Sequence, residues 1–257
     1  MPKLLALFLV LSQVGSVLAP TGTLRATFIA NNPVQGRVDS TGATSGPAPD
    51  LARELARRLG VPSSITPLPS AGAVMESVTT GKADIGFLAY EAARAEQVDF
   101  SDPYLLSGSA YAVRADSSIR NSADVDRPGV TVGAVAGQSQ EVWVREHIKS
   151  ARINALPTVP ANAALAAMLL DGRVDVFAAN RTRMEELARE FPAIRLLPGD
   201  FLVVGQAIVV AKGGGTRLDE VNRFLVQVRA SGFVKASIDR ANLAGVEVAT
   251  SNGATVR

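Results

Sequence analysis

Cysteine is absent from this chain of 257 residues, and histidine occurs once, at His147. Disulfides, thiolate nucleophiles and Cys/His zinc sites are therefore excluded, and the lone imidazole has no second histidine or cysteine with which to form a nucleophile and base pair. Aromatic residues make up only 5% of the chain and charged residues 19%, whereas 47% is hydrophobic. That much apolar material buries a sizeable core, as one large domain or two smaller ones, and excludes disorder. Lys and Arg number 26 against 24 Asp and Glu, so no basic field draws nucleic acid and no run of like charge marks a tail. Phosphate-binding and acyl-transfer motifs are missing too. "KGGGTR" has no Lys-Ser/Thr after its glycines, and "GQSQE" lacks the final glycine of a nucleophile elbow. No catalytic residue, metal or cofactor is expected.

At the N-terminus, Lys3 precedes an apolar stretch over residues 4–11, followed by small residues around Val17 and Ala19. This order marks an export signal, expected over residues 1–19, and its apolar stretch falls short of the roughly 20 residues that a membrane-spanning helix needs.

Beyond it, strand and helix signals alternate. "LRATFIA" is β-rich, and in "DLARELARRLG" Leu51, Leu55 and Leu59 share one helical face, with Asp50 expected to cap the helix and Gly60 to end it. "AGAVMESVTTG" reads as a second helix and "ADIGFLA" as a buried strand without alternation. The grammar then restarts: strand "VTVGAVA", helix "QSQEVWVREHI", strand "INAL", helix "ANAALAAMLLDG", strand "VDVFAA". Helix-then-buried-strand order predicts a mostly parallel sheet covered on both faces. One unit is written twice, as "TGKADIGFLA" around Gly81 and "DGRVDVFAAN" around Gly172. In each, a glycine turn feeds an aspartate and an apolar strand, but the first copy ends on Ala89 and the second on Asn180.

The segment "RAEQVDFSDPYLLSG", with "LRATFIANNP", "PDLARELARRLG", "GKAD", "AVAGQSQ", "GRVD" and "AIVVAKG" in that order, resembles the bacterial periplasmic solute-binding proteins of polar amino-acid ABC transporters. The resemblance implies an α/β, two-lobed periplasmic-binding-protein fold of type II, each lobe a mostly parallel sheet flanked by helices. Lobe 1 would hold residues 20–110 and 209–257 and lobe 2 residues 111–208, with hinges near 110–113 and 206–209. A monomeric periplasmic receptor would close on a small polar, carboxylate-bearing ligand and dock on the transmembrane subunits of an ABC permease.

The resemblance also assigns roles. Arg94 matches the arginine that grips a ligand carboxylate, although Ala92 and Ala93 beside it also suit a surface arginine. Gly137, Gln138 and Ser139 match a turn that opens a helix and receives a carboxylate; a plain N-cap serine is the alternative. Asn180 stands where amino-acid binders place an aspartate for the ligand's ammonium, and it equally suits a cap for "RTRMEELARE". Asn32 stands near an expected aromatic platform, and the loop from Asp84 to Arg94 is shorter than in those binders. Ala89 completes the set, with Glu91 and Tyr90 as possible sources of a negative charge and a hydroxyl. Phe87, Phe177 and Tyr104 fit the core better than the site, and Asp84, Asp175, Asp99 and Asp102 read as structural. An exported dehydratase-like enzyme on the same scaffold, or a ligand-sensing module for a separate membrane partner, are the competing functions.

Overall fold

Two copies of a β-α-β-α-β unit build the molecule, and the computed structural model describes residues 16–30 and 32–250 of it. The first copy runs through β1 (Leu24–Ile29), a small ribbon of β2 (Arg37–Val38) and β3 (Thr44–Ser45), α1 (Pro47–Leu59), β4 (Ser63–Leu68), α2 (Ala71–Thr79) and β5 (Ile85–Ala89). A short α3 (Ala92–Ala95) leads into the long β6 (Val98–Arg114). The second copy is β7 (Thr131–Val135), α4 (Ser139–His147), β8 (Arg152–Leu156), α5 (Asn162–Leu170) and β9 (Val176–Asn180). After α6 (Arg181–Glu190) and β10 (Ile194–Leu196), β11 (Leu202–Ala211) returns, followed by α7 (Gly215–Ala230), α8 (Phe233–Arg240) and β12 (Val246–Val248).

The strand order β4-β1-β5-β11-β6-β9-β7-β8 is nearly symmetric about its centre. In each copy the first strand lies between its two parallel partners, β1 between β4 and β5, and β7 between β8 and β9. Between the two triplets, β6 and β11 run antiparallel to each other along their length. Side-chain alternation sends each strand's apolar residues to two separate cores. In β5, Ile85 and Phe87 join α1, α7 and α8, while Leu88 meets Val74 and Val78 of α2. In β9, Phe177 and Ala179 pack with Leu165 and Leu169 of α5, while Val176 and Ala178 meet Val144 of α4. The result is a two-lobed α/β architecture with helices on both faces of each half-sheet.

Several expectations need correction. The helix expected from residue 50 begins earlier, with Pro47 and Pro49 in its first turn, where proline's fixed φ suits a helix start. Asp50 is therefore inside the helix and is no cap; it accepts from Ser237 Oγ at 2.5 Å and Arg240 at 2.7 Å, tying α1 to α8. The hinges are displaced as well. Residues 110–113 are paired with β9 and residues 206–209 with β5, inside the two half-sheets. The chain crosses instead where Leu202 to Gln206 pair with Ser109 to Leu105, and register shifts follow beside Pro103. Strand β4 is unmarked in the sequence because "SSITPL" is polar, contains a proline and forms the exposed edge of the sheet.

Of the expected export segment 1–19, residues 1–15 lie outside the described residues. Leu18 and Ala19 are described, and both are buried in the same core as Leu24.

Candidate functional site

The duplicated unit works as a framework before it works as a site. Gly81 and Gly172 both adopt φ +71°, the left-handed turn that lets a helix end feed a strand. Three residues on, the Asp84 carboxylate accepts from the Arg25 N–H at 2.8 Å and the Asp175 carboxylate from the Thr131 N–H at 2.8 Å. Each aspartate thus pins the start of the central strand of its lobe, and both are structural, as the sequence suggests. Asp84 is further engaged by the Arg25 guanidinium at 2.6 Å. The strands fixed in this way deliver their carboxyl ends to one place, where α/β sheets generally bind ligands.

There a cavity of ≈ 20 Å³ lies between the lobes. The first lobe contributes the strand ends Ile29 and Ala89, the loop residues Asn32, Val34 and Gln35, and Arg94 from α3; the second contributes Gln138, Ser139, Gln140 and Asn180, and β11 adds Gln206. About one or two water molecules would fill that space, so an amino-acid-sized solute requires the lobes to stand further apart.

Arg94 is 8% exposed. It donates to the carbonyl of Ala89 at 2.7 Å and, across the cleft, to the carbonyl of Gly137 at 2.6 Å. Burial pulls its guanidinium below the ordinary arginine value, with the charge of Glu91 acting the other way. Gly137 therefore takes part through its backbone, whereas neither it nor Glu91 lines the cavity. Glu91 starts α3 without capping it through its side chain. Tyr90 packs edge-on against Phe100, with ring centroids 5.2 Å apart, and does not line the cavity either.

On the opposite wall, Gln138 is the N-cap position of α4 but offers no side-chain cap, and Ser139 is the first helical residue. The alternative of a capping serine is thereby excluded. The Ser139 hydroxyl is buried in the cavity wall without a hydrogen-bond partner, at a helix end where the free N–H groups and the dipole favour an anion. Asn180 does cap α6, its Oδ1 accepting from the Arg183 N–H at 2.9 Å, while its Nδ2 donates to Asn32 Oδ1 at 3.4 Å. The cap and the cavity are therefore two sides of one amide. A further cross-lobe tie, the ion pair of Arg37 and Glu186, stands beside a hollow of ≈ 320 Å³ between Pro33 and Pro160.

Three amides of the site escaped the sequence reading. Gln35 accepts from the Ile29 N–H at 2.8 Å and donates to Gln206 at 3.3 Å, Gln206 donates to Ser107, and Gln140 donates to Ser109 at 2.8 Å. Gln206 had a signal, since a lone amide inside the apolar run "LVVGQAIVVA" has to find partners in a buried strand. Phe87 and Tyr104 pack edge-to-face in the core at 5.8 Å, and His147 lies exposed, stacked on Trp143. Among the described residues no cluster of His, Cys, Asp or Glu could hold a metal ion, and no helix is long and apolar enough to cross a membrane.

Residues 24–241 match the family model of bacterial extracellular solute-binding proteins, family 3. Over 199 residues the chain is 25% identical to the L-cystine-binding protein TcyJ of Escherichia coli K12, covering 76% of this chain and 73% of that protein. Among solved structures, the ancestral amino acid-binding protein AncCDT-1, a precursor of cyclohexadienyl dehydratase, is 27% identical with a TM-score of 0.73 over 85% of this chain and 95% of its own. The arginine-bound form of truncated ArgBP from T. maritima is 25% identical with a TM-score of 0.69, over 80% and 96%.

Proposed function

Because this chain belongs to the bacterial extracellular solute-binding proteins of family 3, we propose that it is the exported receptor of an ABC importer for an amino acid or a carboxylate-bearing derivative. The observation that carries this reading is Arg94, a buried cation at the cleft whose hydrogen bonds span both lobes. When the lobes part, the bond to the Gly137 carbonyl is lost, and a ligand carboxylate takes up the freed donors. The planar guanidinium suits that task, and the N-terminus of α4 with Ser139 faces the same space. Closure follows as a population shift, favoured by contacts that the ligand makes only when both lobes reach it. Arg94, Ser139, Gln138, Asn180 and Asn32 are the binding side chains in this account, Ala89 and Gly137 act through their carbonyls, and Glu91 acts only through its field.

An export signal that ends before the buried Leu18 and Ala19, a periplasmic location, a monomeric state and docking on permease transmembrane subunits complete the proposal. The lobes are read as dividing within β6 and β11, the strands that cross between them, near residues 105–109 and 202–206 rather than at 110 and 208. The chain is read as a binder rather than an enzyme, since among the described residues Arg94 is the sole ionisable side chain lining the cavity and a guanidinium is a donor with no acceptor for a proton.

Calorimetry of the mature protein against the common amino acids and their N-acyl, hydroxy and oxo derivatives tests the proposal. Binding of a carboxylate by the wild type and its loss in Arg94→Ala are expected. Equal affinity in both proteins would overturn the role of Arg94.

A further inference from the structure

We propose that the preferred ligand is a carboxylate that carries a neutral oxygen acceptor (oxo, hydroxyl or acyl) where an amino acid carries its ammonium group. The inference rests on the receptor reading and refines its ligand. It starts from which way the amides of the cleft face.

The α6 N-terminus fixes Asn180. Its Oδ1 is committed to the Arg183 N–H, because a helix start leaves backbone donors that need an acceptor. The group left for the cavity is Nδ2, a donor. Gln35 is fixed in the same way, since its Oε1 receives the Ile29 N–H and its Nε2 points on to Gln206. The oxygen of Gln206 is thereby engaged by one donor, and that of Asn32 by two, the Asn180 amide and the Val34 N–H. Among the lining groups the donors that remain are the Arg94 guanidinium, the Asn180 amide nitrogen and the α4 terminus, with the Ser139 hydroxyl unpartnered among them, against the neutral amide oxygens of Gln138 and Gln140 as acceptors. Among the described residues no carboxylate lines the cavity. The acid nearest to the α4 turn, Glu141, is engaged by the Gly137 N–H and by Arg145.

Such a wall answers oxygen atoms. A carboxylate finds Arg94, and a second oxygen finds Asn180 Nδ2. An ammonium brings only donors and would sit beside a cation, with backbone carbonyls such as those of Ala89 and Gly137 to accept from it but no buried counter-charge to offset its desolvation.

The experiment is calorimetry on the mature wild-type protein with matched sets, each common amino acid beside its 2-oxo acid, 2-hydroxy acid and N-acetyl derivative. The best oxygen-bearing ligand is expected to bind at least about tenfold more tightly than its amino acid, on the scale of one hydrogen bond to a charged group. Asn180→Asp keeps the cap and removes the donor, and should reverse the order within a set; Asn180→Ser, also a capping residue, should erase the discrimination. An amino acid that binds as tightly as its oxygen analogues, or an unchanged ratio in both variants, overturns this proposal and leaves the receptor reading standing. If no carboxylate of either kind binds the wild type, both fall.

Discussion

The two copies of the repeated unit share a scaffold and divide the chemistry. Gly81 and Gly172 adopt the same φ, and Asp84 and Asp175 make the same bond to the neighbouring strand. Past that point they diverge. After Ala89 comes a helix of four residues that turns Arg94 back onto the Ala89 carbonyl, whereas Asn180 caps a helix of ten residues with its own side chain. One lobe brings a cation to the cleft and the other an amide and a helix end. The packing is exchanged as well: the cross-strand pair is Thr27 with Gly86 in the first copy and Gly133 with Phe177 in the second, glycine having changed strand. A duplicated framework thus tolerates exchange of volume in its core, and its functional asymmetry lies at the strand ends.

The largest expected break of this comparison is at Arg94. Arg94→Ala should cost ligand binding about 3 kcal/mol or more, or about a hundredfold in affinity, measured by calorimetry. Next comes the framework. Asp84→Ala should destabilise by about 2–3 kcal/mol, since a backbone N–H and the Arg25 guanidinium lose an acceptor, while Asp175→Ala should cost about 1 kcal/mol for its exposed site. Equal costs in urea unfolding would show that the two aspartates do not differ in load. Gly133→Ala should cost about 1–3 kcal/mol, because the added methyl would meet the Phe177 ring at 2.7 Å; Gly86→Ala, against Val74 at 2.9 Å, should cost a similar amount. The smallest effect is at the caps. Asn180→Ala should lose about 1 kcal/mol of stability and Asn180→Asp less, as read from thermal melting.

Much of this was legible in the sequence because it is local. Turn glycines, the following aspartates and the buried strands keep a fixed order, so the repeat and the α/β class could be read from one copy and checked on the other. The strand-end positions Ala89 and Asn180 followed from that alignment. What could not be read depends on contacts distant in the chain. The partner of Arg94 is a carbonyl 43 residues away, in the other lobe. Gln35 meets Gln206 across 171 residues, and no local pattern connects them. Asp50 looked like a cap because it precedes a leucine periodicity, yet the helix had begun on Pro47 and the carboxylate answers to α8. The hinge was misplaced because β6 and β11 are continuous strands, whose pairing to either half-sheet changes without any breaker in the sequence.

Solute-driven closure through Arg94 is tested most directly by a distance across the cleft. The chain has no cysteine, so Ser40→Cys and Arg189→Cys, both exposed and on opposite lobes beside the Arg37 and Glu186 ion pair, give a clean pair of spin-label sites. Double electron–electron resonance with the tightest carboxylate found by calorimetry should show a broad or long distance collapse to one short distance in the wild type and stay long in Arg94→Ala. The same distance distribution with and without saturating ligand would contradict the account.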